Sequence, residues 1–215
     1  FYDICYDEAN EGIWAIYTVG NASDRVDVTF YLITDAAGPT TWISPSNTYK
    51  IEVTVTSQGA EDVRISYDPD TQRAVAVWYE SGALKAKVLQ YNSGSHTISQ
   101  GSEVTIMSSG ALAPTMCYDT TNNKMIVGAV NTSSTSRFET RVGTVTGGST
   151  NSISFGGIST TANVTGVTEH RNTTLLYDPD NDKIILYAKL DGNGFSNAGA
   201  ICVGTVGSSA VTWNS

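Results

Sequence analysis

Apolar residues along this chain fall into short runs, and the runs come in sets. Val63 to Tyr67 reads as a short strand, Asp68-Pro69-Asp70-Thr71-Gln72 as a polar turn, and Arg73 to Tyr79 (RAVAVWY) as a run apolar at nearly every position. Glu80 to Ala83, around Gly82, predicts a second turn; Leu84 to Tyr91 predicts a third strand, and Thr97 to Ile106 holds a fourth. In the first turn Pro fixes one backbone angle and Asp accepts from amides ahead of it. The same order returns three more times. The apolar second strand is Gly12 to Val19 (GIWAIYTV), Lys124 to Val130 (KMIVGAV) and Lys183 to Lys189 (KIILYAK), and the third is Asp27 to Ile33, Glu139 to Val145 and Ala200 to Val206.

A Tyr-Asp pair heads the first turn of each set, at Tyr6-Asp7, Tyr67-Asp68, Tyr118-Asp119 and Tyr177-Asp178, with separations of 61, 51 and 59 residues. A period of this size is the mark of a repeat architecture. The units run from about 1–61, 62–112, 113–171 and 172–215. The second strand decides how they are packed. A strand with one wet face alternates apolar and polar residues, so an unbroken apolar run implies burial on both faces. Four-stranded antiparallel sheets, repeated and packed face to face, describe a β-propeller. A two-layer sandwich predicts alternation and no internal period. The Gly, β-branched and turn content excludes a helical solenoid. The expected fold is therefore all-β, a β-propeller of four-stranded antiparallel blades with four repeat units visible. Four units suffice for a small ring. However, the last one stops at Trp213-Asn214-Ser215, where the third continues past Phe155, and the chain opens on Phe1 rather than Met. A fragment of a longer protein is expected.

Composition narrows the setting. At 215 residues an all-β chain is commonly one domain. Only 15% of residues are charged, while Ser, Thr, Asn and Gly abound, which suits an extracellular or virion surface. The net charge of −9 repels phosphate backbones, and the twelve Lys and Arg residues form no cluster, so no nucleic-acid partner is expected. No apolar stretch approaches the roughly 18 residues of a membrane span, so no membrane partner is expected either. Cys5 and Cys117 precede equivalent Tyr-Asp pairs in different units, too far apart to bridge; with Cys202 they read as small buried residues.

The motif Tyr-Asp-Pro-Asp-x-x-(Lys/Arg), an apolar strand, Val-Gly-Thr-Val and then Ile-Ser-Phe-Gly resembles a repeat of large virion proteins of marine bacteriophages, cyanophages above all. It stands here as YDPDTQRAVAVWY, as YDTTNNKMIVGAV with VGTV and SISFGG, and as YDPDNDKIILYAK with VGTV and AVTW. The first unit departs from it, with YDEANEGIWAIY and no VGT, and the second has VLQY in place of VGTV. The resemblance covers essentially the whole chain and implies a tail-fibre, adhesin or capsid-surface module.

Chemistry-bearing patterns are sparse. Asp178-Pro179-Asp180-Asn181-Asp182 resembles the opening of a calcium loop, but Lys183 follows where such a loop continues with Gly and a distal Glu, so a hairpin turn is the reading preferred. His96 and His170 lie in different units with no ligand at zinc spacing. No nucleophile elbow, P-loop or dinucleotide fingerprint occurs, and the Asp-box of sialidases is absent. No catalytic residue, metal or cofactor is expected, and the chain is read as not an enzyme. The repeat tyrosines read as structural anchors and their Asp partners as turn openers. The candidate ligand contacts are Trp42, in the irregular stretch GPTTWISPS, and Asn21, Asn131 and Asn193, in loops that differ most between units. Half-buried packing is the competing reading of Trp42. The sequons at Asn21, Asn131, Asn163 and Asn172 are within chance for so Asn-, Ser- and Thr-rich a chain.

The expected function is that of a non-enzymatic virion surface module, a rigid scaffold that touches host-surface glycans. Its partners would be other virion proteins, host glycans and further copies of itself in a homo-oligomer. The alternative is a cellular extracellular adhesin or surface repeat protein, with a glycan hydrolase behind both.

Overall fold

In a computed structural model the chain is described over residues 2–20, 25–32, 50–57, 60–132, 137–161, 173–192 and 195–214. Among these residues the regular elements are all strands, gathered into four antiparallel sheets, each built from one continuous stretch of sequence. The first sheet holds β1 (Tyr2–Asp7), β2 (Gly12–Val19), β3 (Arg25–Leu32) and β4 (Lys50–Thr56), in that order. The second holds β5 (Ala60–Asp68), β6 (Arg73–Glu80), β7 (Ala83–Asn92) and β8 (Thr97–Gln100), with β9 (Val104–Met107) also on β7. The third holds β10 (Ala111–Asp119), β11 (Lys124–Asn131), β12 (Arg137–Thr146) and β13 (Ser152–Phe155), with β14 (Ser159–Thr160) also on β12. The fourth holds β15 (Thr173–Asp178), β16 (Lys183–Gly192), β17 (Phe195–Val206) and β18 (Val211–Trp213). The five-stranded sheets are four ranks deep, because their outermost strand is interrupted, at residues 101–103 in one and 156–158 in the other.

The sheets stack face to face, with β5 packed between β1 and β10, and β15 on the far side of β10. Each junction has its own core. Trp14, Phe30, Ile65 and Trp78 fill the first, Val77, Leu84, Ile106 and Met125 the second, and Ile126, Phe138, Leu175 and Leu186 the third. The double burial expected of the second strands holds in β6 and β11, which belong to the inner sheets. In β2 alternate residues are only partly buried, and in β16 Tyr187 is exposed. The reason is that the first and fourth sheets each have a neighbour on one side only. Among the described residues the row is open, and the sheets do not close into a ring.

Two local devices explain why these sequences fold this way. In every unit the Asp of the Tyr-Asp pair closes the turn behind it. Asp7 accepts from Asn10 N at 3.0 Å, Asp68 from Thr71 N at 3.2 Å, Asp119 from Asn122 N at 3.0 Å and Asp178 from Asn181 N at 3.3 Å. The turn then ends on a residue with positive φ, namely Glu11, Gln72, Asn123 and Asp182 at 50°, 56°, 52° and 52°. That conformation is uncommon outside Gly, and the carboxylate cap holds it in place. The second device is the Gly of Val-Gly-Thr-Val. A side chain at Gly143 would come within 2.9 Å of Ile153 and Phe155, and one at Gly204 within 2.8 Å of Val211 and 2.9 Å of Trp213. The missing side chain makes room for the large residues of the outermost strand, which is why the two motifs travel together.

Candidate functional site

Along the side of the stack where the Tyr-Asp turns gather, a cleft of about 300 Å³ opens among the first strands of three units. Its walls repeat. Tyr6, Tyr67 and Tyr118 line it, as do the residues two positions on, Glu8, Pro69 and Thr120, together with Cys5 and Ser66. The strands hold the tyrosines, and the turns capped by Asp7, Asp68 and Asp119 present the residue two positions beyond.

The electrostatics of the cleft come from a relation between units. The tyrosine of one unit stands beside the aspartate of the unit before it: Tyr67 by Asp7, Tyr118 by Asp68 and Tyr177 by Asp119. Burial first, and the neighbouring carboxylate second, push the Tyr67 and Tyr118 phenols well above their ordinary range. Both remain protonated donors at neutral pH. Tyr118 reaches Asn123 Oδ1 only at 3.4 Å. The Tyr67 hydroxyl is buried and, despite the nearby Asp7 carboxylate, has no partner at hydrogen-bonding geometry. The hydroxyl is covered by protein and faces Asp7 and the Ala9 backbone rather than the open cleft. Burial, aided by Asp3 and Asp7, pushes the Cys5 thiol up, so it stands there as a thiol rather than a thiolate.

Of the candidate ligand contacts read from the sequence, Asn131 does not line this cleft. Asn131 ends β11, at the opposite end of the strand from the turn, and its Nδ2 donates to Glu139 Oε2 at 3.0 Å. Trp42, Asn21 and Asn193 lie outside the described residues. The oxygens of Asp178 turn inward, to Asp180 N at 3.1 Å and to Asn181 Nδ2 at 2.8 Å, and are spent on the hairpin. Among the described residues no three His, Cys, Asp or Glu side chains gather as a metal site would need. Cys117 and Cys202 are buried, Cys5 is half-buried, and all three are free; burial and Asp119 push the Cys117 thiol up to about 12. Trp78 is a core residue, and Trp213 donates to Thr140 Oγ1 at 3.3 Å across the last junction.

Glu8, Ser66 and Thr120 escaped the sequence reading. The signal was present: the second residue after each repeat tyrosine is Glu, Pro, Thr and Pro in turn, a changing position inside a constant frame. Reading the tyrosines as anchors alone hid the fact that anchors at equivalent positions of adjacent units share a surface.

No family model and no curated protein matches this sequence. Among solved structures the chain is similar to the crystal structure of a putative 6-phosphogluconolactonase from Bacteroides uniformis, at 10% identity and a TM-score of 0.38, covering 98% of this chain and 69% of that one. The neighbour's description as an enzyme runs against the expectation that this chain is not one. At this identity and TM-score the likeness carries no activity over to this chain.

Proposed function

We propose that the four sheets are blades of a propeller-type repeat module on the exterior of a phage virion (a tail fibre, a tail appendage or the capsid) and that the tyrosine cleft takes a sugar of a host-surface glycan. The propeller reading is supported by three successive face-to-face junctions, with the first strands of the four sheets packed in sequence. The virion setting is supported by the resemblance of YDPDTQRAVAVWY and its companions to phage surface repeats.

The observation that carries the glycan reading is the wall of the cleft. Tyr6 and Tyr118 supply ring faces and hydroxyls, and Glu8, Ser66 and Thr120 add acceptors and donors. A sugar ring has an apolar C–H face and a rim of hydroxyls, so aromatic faces interleaved with small polar groups suit it. The acidic chain disfavours polyanionic ligands, so the sugar is neutral or amino-substituted.

Binding of purified bacterial envelope polysaccharides, followed by titration calorimetry, tests this. The expected result is saturable binding that falls about tenfold or more (~1.4 kcal/mol) in Tyr118→Ala and Thr120→Ala. Absence of binding across the panel, or binding indifferent to both substitutions, sinks the glycan reading. Mass spectrometry of purified particles tests the setting separately, and absence of the chain from them ends it.

A further inference from the structure

The two ends of the row are apolar where a surface would be polar. On the outer face of the first sheet Tyr2 is 83% exposed, Ile4 64% and Tyr6 54%. On the outer face of the fourth, Leu176 is 58% exposed, Tyr187 45% and Ile201 70%. With Ile158 these are the exposed large apolar residues of the described chain.

The positions are the informative part. Counting from the repeat tyrosine, Tyr2, Ile4 and Tyr6 correspond to Val63, Ile65 and Tyr67 of the second unit and to Thr173, Leu175 and Tyr177 of the fourth. Val63, Ile65, Tyr67, Thr173 and Leu175 are all buried, packed on the sheet before them. On the other side, Tyr187 corresponds to Ile16, Val77 and Gly128. Ile201, its cross-strand partner, corresponds to Val28, Ala86 and Thr140, the partners of those three. Ile16, Val77, Val28, Ala86 and Thr140 are at most 1% exposed, covered by the sheet after them. The end faces are thus the two halves of one interface that the chain already forms three times within itself.

The polar parts match as well. At the first junction Ile65 N donates to Asp3 Oδ2 at 3.0 Å, and at the third Leu175 N donates to Thr115 Oγ1 at 2.9 Å. Thr174 stands at the Asp3 and Thr115 position of the last unit. Asp178 stands at the position of Asp7, Asp68 and Asp119, the carboxylates that each meet the next unit's tyrosine.

We infer that a second copy of this chain stacks head to tail on the first, placing its Tyr2, Ile4 and Tyr6 face against Leu176, Tyr187 and Ile201, with its Tyr6 beside Asp178. The contact is heterologous, so it closes into a ring if the rotation between copies allows and otherwise extends as a filament. It continues the packing of the internal junctions and does not depend on the glycan reading.

Sedimentation velocity over a wide concentration range tests the contact on the 215-residue chain and on Ile4→Glu and Ile201→Glu, which alter one exposed face each. The wild-type chain is expected to associate as concentration rises. Each variant alone is expected to remain monomeric, and an equimolar mixture of the two to form a one-to-one dimer that grows no further, since each retains the face the other has lost. Unchanged circular dichroism shows that the variants fold. A wild-type chain that stays monomeric throughout overturns the inference. So does a single variant that still associates, which means one face pairing with itself, and so does a mixture that fails to dimerise.

Discussion

Arg73 and Asn151 meet across the boundary between the second and third sheets, Arg73 Nε donating to Asn151 Oδ1 at 2.7 Å. Arg73 is 7% exposed, and its other guanidinium nitrogens donate to Thr71 O at 2.8 Å, Gln72 O at 3.0 Å and Gly148 O at 3.3 Å. Asn151 in turn donates to Ser99 Oγ at 3.0 Å. The fork therefore joins the turn after β5 to the turn before β13. Hydrogen bonds to a charged partner contribute about 1.5–3 kcal/mol, and removing one member leaves a buried donor unpaired. Asn151→Ala is expected to lower stability by that amount in urea denaturation. Arg73→Lys is expected to recover little of what Arg73→Ala loses, because a point charge cannot serve four acceptors spread around a planar fork. An unchanged midpoint in Asn151→Ala would show that the apolar core alone holds the two sheets.

Gly156 and Gly157 adjoin in sequence and differ in what surrounds them. A Cβ on Gly156 would stand 2.0 Å from the backbone oxygen of Ser209, in the next unit, whereas one on Gly157 would meet nothing within 4 Å. Backbone cannot give way as a side chain does. Gly156→Ala is expected to destabilise by about 1–3 kcal/mol through overpacking, while Gly157→Ala is expected to be neutral or slightly stabilising by reducing the freedom of the unfolded chain. Thermal melts of the two variants make the comparison. Equal melting temperatures would mean that the outermost strands of the third and fourth sheets do not approach as described.

The strand plan was legible because it is local. Asp68-Pro69-Asp70 announces its turn, and RAVAVWY announces a strand covered on both sides. What the sequence could not convey was which sheets have two neighbours. KMIVGAV and KIILYAK read alike, yet the first lies between sheets and the second carries the exposed Tyr187 at the end of the row. Neighbour count is a property of the whole stack, and no window of residues contains it. The cleft was hidden for a related reason. Tyr6, Tyr67 and Tyr118 are separated by 61 and 51 residues and share a surface only because consecutive first strands pack together.

Glu80 gives the fold an acid-sensitive point. It is 5% exposed and accepts from Trp78 Nε1 at 3.0 Å, from Thr56 Oγ1 at 2.9 Å and from Lys85, which also pairs with Glu103 at 3.0 Å. Burial raises its pKa, but the hydrogen bonds from Lys85, Trp78 and Thr56 outweigh burial and hold it below the usual glutamate value. A carboxylate depressed in the folded state contributes stability above its unfolded pKa, near 4.3, and loses it as pH falls through the folded value. Urea midpoints of the wild type are therefore expected to drop across this acid window. The difference between wild type and Glu80→Gln is expected to shrink as pH falls, since protonation makes the two alike. A constant difference from neutral to strongly acid pH would mean that Glu80 is not held ionised by these partners.

Tyr67 carries the opposite dependence. Burial, followed by the Asp7 carboxylate, raises its phenol above the ordinary value near 10, and Tyr118 is raised in the same way by burial and Asp68. Stability from a phenol raised in the folded state is fully present below about pH 10 and is lost as pH climbs toward the folded value. The wild type is expected to unfold in alkali, with two tyrosines ionising only as it does so, visible in a near-ultraviolet titration. Tyr67→Phe separates this effect from hydrogen bonding. The hydroxyl is buried without a partner, so its removal is expected to leave neutral-pH stability unchanged or raise it by on the order of 1 kcal/mol. The same substitution is expected to shift alkaline unfolding to higher pH and to remove one of the delayed ionisations. A clear loss of stability at neutral pH would instead show that Asp7 and Tyr67 form a direct hydrogen bond.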